Sequence, residues 1–167
     1  MGPPAVPGPE SCPQLDLGVT GRELRTVDDA YRRRPDETGP PEIHTWVRFR
    51  EAPLHAFLHA ALLAQSTTHW TIAAAMRPHE GVTEALAHRI LSTGILAATV
   101  AFHDEFDVRD WLLYVNPAIY AGRGLAQGEG RVFSRDGRLV ASYTVQAMIR
   151  GFGTSPGKLG KDYADAM

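Results

Sequence analysis

The sequence has 167 residues, 44% apolar and 22% charged, with 17 basic against 19 acidic side chains and a net charge of −2. That length suffices for one domain with a real core, and the near balance of charge removes the electrostatic case for nucleic acid or an anionic membrane surface. The single cysteine, Cys12, excludes an intrachain disulfide framework and a cysteine-based zinc site.

The first residues, MGPPAVPGPE, have neither the basic region nor the apolar core of a signal peptide, and Val6 stands where a myristoylation signal needs Ser or Thr. Residues 54–76 are the most apolar stretch. His55, His59, Gln65, Ser66, Thr67, Thr68 and His69 interrupt it, so no run of about 20 apolar residues exists to span a membrane. A soluble cytoplasmic protein is the expectation.

Eight of the 12 prolines fall in the first 41 residues. Residues 1–41 therefore read as a Pro-rich extension: 1–13 disordered or loosely attached, one short strand near 23–31, then a linker through Arg32-Arg33-Arg34-Pro35 and Gly39-Pro40-Pro41. Residues 42–50, EIHTWVRFR, alternate, with Ile43, Thr45, Val47 and Phe49 on one face and His44, Trp46, Arg48 and Arg50 on the other, as in a strand with one packed face. Pro53 suits a first helical position. Of the 23 residues from 54 to 76, 15 are apolar, which predicts a helix buried on nearly all sides. Leu58, Leu62 and Ile72 are its expected core residues. Arg77-Pro78-His79-Glu80-Gly81 ends it.

The remainder reads as a meander of about four antiparallel strands: 95–106, 111–120, 125–134 and a last strand after Asp136-Gly137. That dipeptide predicts a type I′ hairpin turn. Residues 153–167 read as a flexible tail. One helix wrapped by a curved antiparallel sheet is an α+β arrangement, a single hotdog domain over 42–152.

Residues 110–150 carry WLLY at 111–114, AGRG at 121–124, RVFSRDGRLVAS at 131–142 and MIR at 148–150. Upstream stand WVRFR at 46–50, a helix ending in Pro78-His79, and FHDEF at 102–106. In this order and spacing they resemble the C-terminal hotdog of the acyl-CoA thioesterase II (TesB-like) family. The family's usual chain fuses two hotdogs and this sequence holds one, either a natural single hotdog or part of a longer chain. The resemblance implies acyl-CoA as substrate, no cofactor, and pairing with a second hotdog, from this chain or another.

The resemblance also implies a water held by an Asp on the central helix, a Ser or Thr near the next strand and a Gln on the last strand. Counted from the flanking motifs, those positions fall on Thr68, Ile95 and Val145, so none matches without a gap. Gln146 lies one residue beyond Val145, on the opposite face of the strand unless a bulge re-aims it. Thr93 lies two residues before Ile95. Thr68, His69 and Gln146 are thus the candidate catalytic residues, with Gln65, Thr67 and Thr93 as candidate substrate-binding residues. The cluster from 65 to 69 reads either as a site lining or as the wet end of a helix whose hydroxyls bond carbonyls one turn back. His69 is a candidate base, yet no acid lies on the helix to orient it; Glu80, Glu84, Asp104 and Glu105 are the nearest downstream. His55 and His59 have zinc-compatible spacing but lack the intervening Glu and a third ligand, so no metal is expected. Gly122, Gly124, Gly128 and Gly130 sit between strands and read as bends rather than a dinucleotide fingerprint.

Three functions follow: an acyl-CoA thioesterase, weak because its site is unmatched; a non-catalytic hotdog half that supplies a face to a catalytic partner; and a hotdog hydratase. The last is disfavoured, because that chemistry wants an acid on the helix and none lies between Pro53 and Arg77.

Overall fold

The computed structural model describes residues 2–18, 21–29, 31, 34, 36–51, 54–87 and 89–151. The expectations for Pro53, for Arg32, Arg33 and Pro35, and for the tail fall outside these residues. Seven antiparallel strands form one sheet: β1 (Gln14–Leu15), β2 (Arg22–Thr26), β3 (Glu42–Phe49), β4 (Leu91–Phe102), β5 (Leu112–Gly122), β6 (Leu125–Ser134) and β7 (Leu139–Gly151), in the order β1-β2-β3-β5-β6-β7-β4. Two helices follow β3, α1 (Ala56–Ser66) and α2 (Trp70–Met76). This is the expected hotdog, with two corrections to its layout. The meander comprises β5, β6 and β7 only, and β4 returns to pair with β7 at the far edge. The helix is not continuous; it breaks at 67–69.

The core lies between the helices and one face of the sheet. Alternation on β3 aims Ile43 and Val47 inward, where they meet Leu63, Trp70, Ala73, Ala74, Leu112, Tyr114, Val132, Val140 and Val145. α2 is the buried element, lying against β3, β5, β6 and β7. α1 is only half-buried, with His59, Leu63 and Ser66 inward and Leu54 and Phe57 exposed beside it. Leu58, Leu62 and Ile72 are accordingly half-buried rather than central. Close approach has a local device at Gly130: a Cβ there would lie 2.0 Å from the Tyr143 ring. Tyr143 uses that space to donate its hydroxyl to Asn116 Oδ1, and Asn116 Nδ2 donates to the carbonyls of Ile43 and Tyr114. A buried polar network of this kind is affordable only because each group is bonded.

The Pro-rich start is not loose. Trp46, Leu113, Val115 and Phe133 point from the outer face of the sheet and join Cys12, Val27 and Trp111 in a second cluster, with Val6 packed against it. Trp46 Nε1 donates to the Pro7 carbonyl at 2.9 Å, Arg25 Nη1 to the Cys12 carbonyl at 3.1 Å, and Arg135 pairs with Glu10 at 2.7 Å. Apolar side chains on the outer face of β3 and β5 need a cover, and residues 2–13 supply it. The short strand expected near 23–31 appears as β2.

The hairpins differ from expectation in an instructive way. Asp136-Gly137 does not form a type I′ turn: only Gly137 has positive φ, at 87°. The Gly137 amide bonds the Ser134 carbonyl and the Ser134 amide bonds the Arg138 carbonyl, as in a type I turn closed by a glycine bulge. The two-residue turn with both central φ values positive is Arg123-Gly124, at 51° and 75°, between β5 and β6.

Leu63, fully buried, should lose about 2–5 kcal/mol of stability on truncation to Ala, whereas half-buried Leu58 should lose much less. Urea unfolding of the two variants beside the parent measures the contrast.

Candidate functional site

The break between α1 and α2 is built by its own side chains. Thr67 Oγ1 donates to the Ala64 carbonyl at 2.7 Å and Thr68 Oγ1 to the Gln65 carbonyl at 3.0 Å. Such bonds compete with the helical ladder, and the chain resumes as α2 only at Trp70. The two hydroxyls bond carbonyls one turn back, but Thr67 is fully buried rather than wet.

Gln65, Ser66 and His69 do something else. Alternation along β2 turns Arg22, Leu24 and Thr26 to the core face, so Arg22 enters beneath the break and is only 5% exposed. Its Nη1 donates to Gln65 Oε1 at 3.2 Å and to Ser66 Oγ at 3.4 Å, and its Nη2 lies 2.9 Å from His69 Nε2. Its Nε is buried without a partner, and among the described residues no carboxylate pairs with the guanidinium. Arg22 went unnoticed in the sequence analysis, although the alternation of Arg22 with Leu24 signals its inward face.

Burial, and then the Arg22 charge, push the His69 imidazole down to about 4. Of the acids that follow the helix in sequence, Glu84 accepts from the Tyr31 hydroxyl at 3.5 Å and Asp104 pairs with Arg138 at 2.8 Å. Around the pair stand Trp70, edge-on to both Tyr31 and His69, and Tyr114, whose hydroxyl burial pushes upward.

Gln146 is not brought to this cluster. It is exposed on the outer face of β7, opposite Gln127 and Ala97, between fully buried Val145 and Ala147. A bulge does occur here, but it falls on β4 between Ile95 and Ala97 and leaves β7 regular against it. Thr93 is half-buried opposite Ile149, and Ile149 packs with Ile72 against Ala126 and Ala147. Ile95 and Val145, where the resemblance puts a hydroxyl and an amide, both face the helix side, and both are apolar. His55 and His59 do not converge: His55 stacks on Phe57, while His59 Nδ1 accepts from the Val108 amide at 3.3 Å and lies 3.4 Å from Asp107. Among the described residues no three His, Cys, Asp or Glu side chains gather as metal ligands.

β4 has a further peculiarity. Its partners on β7, Ala147, Val145, Tyr143 and Ala141, are buried, so Ile95, Ala98, Val100 and Phe102 share the helix-facing side. Yet Ile95 is 36% and Phe102 47% exposed, and Leu96 at the bulge 56%. The helices leave much of the last strand uncovered, and among the described residues no strand pairs with its other edge, where only Leu91 bridges to Ala87. No helix among the described residues is long and apolar enough to cross a membrane.

The depressed His69 value sets a sign. As pH falls below about 6.5 the unfolded chain takes up a proton at residue 69 that the folded chain refuses until about pH 4. The contribution is fully present above about pH 6.5 and is lost on acidification through that window. Urea unfolding at about pH 7.5 and about pH 5 should show a smaller loss for His69→Asn than for the parent.

The model of the acyl-CoA thioesterase C-terminal domain family matches residues 4–149. Acyl-CoA thioesterase 2 of Haemophilus influenzae is 31% identical over 114 residues, which are 66% of this chain and 38% of that protein. Among solved structures, the acyl-CoA thioesterase II TesB2 of Mycobacterium marinum superposes with a TM-score of 0.71 at 25% identity, over 92% of this chain and 57% of that one. AziG of S. sahachiroi shares the fold, with a TM-score of 0.54 at 19% identity over 77% of this chain and 92% of that one. The chain thus spans little more than half the length of the TesB2 structure, and less of the Haemophilus relative. A match over almost all the described residues, on the architecture above, makes this chain a member of the acyl-CoA thioesterase C-terminal domain family.

Proposed function

We propose that the chain is a hotdog of thioesterase type that binds acyl-CoA in the cytoplasm and hydrolyses it slowly to fatty acid and CoA. Water adds to the acyl carbon, the C–S bond breaks, and a water proton ends on the departing sulfur. The acyl chain lies along the exposed face of α1 toward Thr68 and His69, with Gln65 near its path; Thr67 is fully buried beneath it, and Thr93, on the far edge strand, lies at the seam with a second hotdog.

The observation that carries this reading is the uncovered strand. β4 offers a long edge that pairs with no strand among the described residues, only Leu91 bridging to Ala87, and an apolar helix-facing side that its own helices leave partly open. A long bare edge is a site for strand pairing, and a second hotdog, from a copy of this chain or a separate one, covers both the edge and the apolar face. Slow turnover follows from the side chains at the three water-holding positions, Thr68, Ile95 and Val145, which include no carboxylate. Loss of a general base typically removes about 10²–10⁴-fold in rate.

A second reading has its own support. With Gln146 on the outer face and no acid at the helix break, the chain also suits a non-catalytic half that serves a catalytic hotdog. Thiol release from medium and long acyl-CoAs separates the two. The enzyme reading expects measurable release by the chain alone and a higher rate for Thr68→Asp than for Thr68→Ala. No release by any of the three, with activity appearing only on addition of a separate hotdog, leaves the second reading standing. Light scattering at micromolar concentration should show a dimer or larger; a clean monomer that recruits no hotdog contradicts the seam.

A further inference from the structure

The contact between Arg22 and His69 has only one chemical reading. A guanidinium has donors and no acceptor, so at 2.9 Å the Arg22 Nη2–H donates and His69 Nε2 accepts. Nε2 then carries no proton. A neutral imidazole with a bare Nε2 has its proton on Nδ1, and Nδ1 makes no hydrogen bond among the described residues and is not sealed from solvent. The remaining Arg22 bonds, to Gln65 and Ser66 at the end of α1, anchor the guanidinium, so the ring is held from a fixed point on the sheet rather than by a flexible neighbour.

We propose that His69 serves this site as a hydrogen-bond donor through Nδ1–H, aimed at the thioester carbonyl oxygen of bound acyl-CoA, and that Arg22 is the positioning residue that fixes this tautomer. The role is the reverse of a base. A base needs a free lone pair, and the one on Nε2 is committed to Arg22. A neutral donor stabilises the negative charge that develops on the carbonyl oxygen as water adds to the acyl carbon. The groups at this pair favour a neutral ring: Arg22 from β2 is cationic, Trp70 against the ring is apolar, Tyr31 beyond Trp70 and Tyr114 near Arg22 keep their protons, and Gln65 and Ser66 on Arg22 are uncharged.

The ligand in this inference rests on the acyl-CoA reading; the tautomer does not. The test is therefore run in two stages on the full chain with ¹⁵N-labelled histidine. In the free protein at neutral pH, the His69 spectrum should show Nδ1 of pyrrole type and Nε2 of pyridine type. Arg22→Met should abolish that pattern and bring the ring's titration up toward the usual imidazole range. The opposite tautomer in the parent, or a parent pattern unchanged in Arg22→Met, overturns the positioning role. Next, a ketone analogue of acyl-CoA, with the sulfur replaced by CH₂, should move the Nδ1–H resonance downfield. An analogue that binds and leaves Nδ1–H unmoved overturns the donor role. An analogue that does not bind at all removes the acyl-CoA reading and the donor role together, while the tautomer stands or falls on the first stage.

Turnover adds a third readout. A donor of this kind is worth about 10²-fold in kcat. His69→Ala should lose it, and His69→Asn, which places an amide donor near Nδ1, should recover part of it with KM unchanged. The parent rate should be level at residue 69 from about pH 5 to about pH 8, whereas a base of ordinary value titrates near 6.5. A parent profile that rises through about 6.5 and is flattened by His69→Asn would mean that His69 acts as a base.

Discussion

Two short helices end to end cannot cover seven strands. Strands lie about 4.8 Å apart, so seven of them present a face near 30 Å wide, while a helix with its side chains measures about 10–12 Å across. The core therefore forms where α2 lies, over β3, β5, β6 and β7, and thins on either side. Toward β2 the gap is filled by Leu24, Leu17 and Tyr31 and by the buried guanidinium of Arg22. Toward β4 only Val100 and Phe106 pack against the core, and apolar side chains at Ile95, Leu96 and Phe102 stand open. The candidate site and the open seam are two results of one mismatch in width.

The outer face obeys the same rule with a different cover. Trp46, Leu113, Val115 and Phe133 are as apolar as the core residues between which they alternate, and a bare patch of such side chains would invite association. Residues 2–13 lie over them with few side chains of their own to bury. Proline suits this work, since a chain that is already stiff loses less entropy on being fixed. The hydrogen bond from Trp46 Nε1 to the Pro7 carbonyl satisfies an indole that would otherwise be stranded among apolar groups. Arg48 and Arg25 close the same region by lying 4.6 and 5.8 Å over the Trp111 ring.

The elements of this fold are legible in the sequence where a single period governs them. β3 reads directly from alternation, and the helical region from its alanine-rich apolar stretch without Asp, Glu, Lys or Arg. The break at 67–69 is less visible, because Thr67 and Thr68 interrupt the helix by bonding its carbonyls, and their letters also occur in intact helices. Pairing order is not written locally: β4 precedes β5 in the chain yet pairs with β7, a choice made by the path round the helix. The Pro-rich start misleads because composition speaks of entropy and not of the face waiting to be covered. At the site, the spacing that marks Thr68, Ile95 and Val145 comes from resemblance, whereas Arg22 lies more than 40 residues from its partners in sequence. No local pattern announces such a contact.

The charge at the helix break follows from these placements. The resemblance implies a carboxylate at the position of Thr68; this chain instead brings a guanidinium to the adjacent residue from the neighbouring strand. A buried cation without a carboxylate is costly, and it is held here by Gln65, Ser66 and His69, all neutral acceptors. Burial first, and then the field of this cation, make the His69 imidazole a poorer proton acceptor. The same field favours negative charge that develops nearby during a reaction. A site arranged this way is poorly suited to drawing a proton from water and better suited to stabilising an oxyanion. On the proposed thioester reading, the chemistry works through the carbonyl oxygen, which makes the acyl carbon more open to water, rather than through a base beside the water.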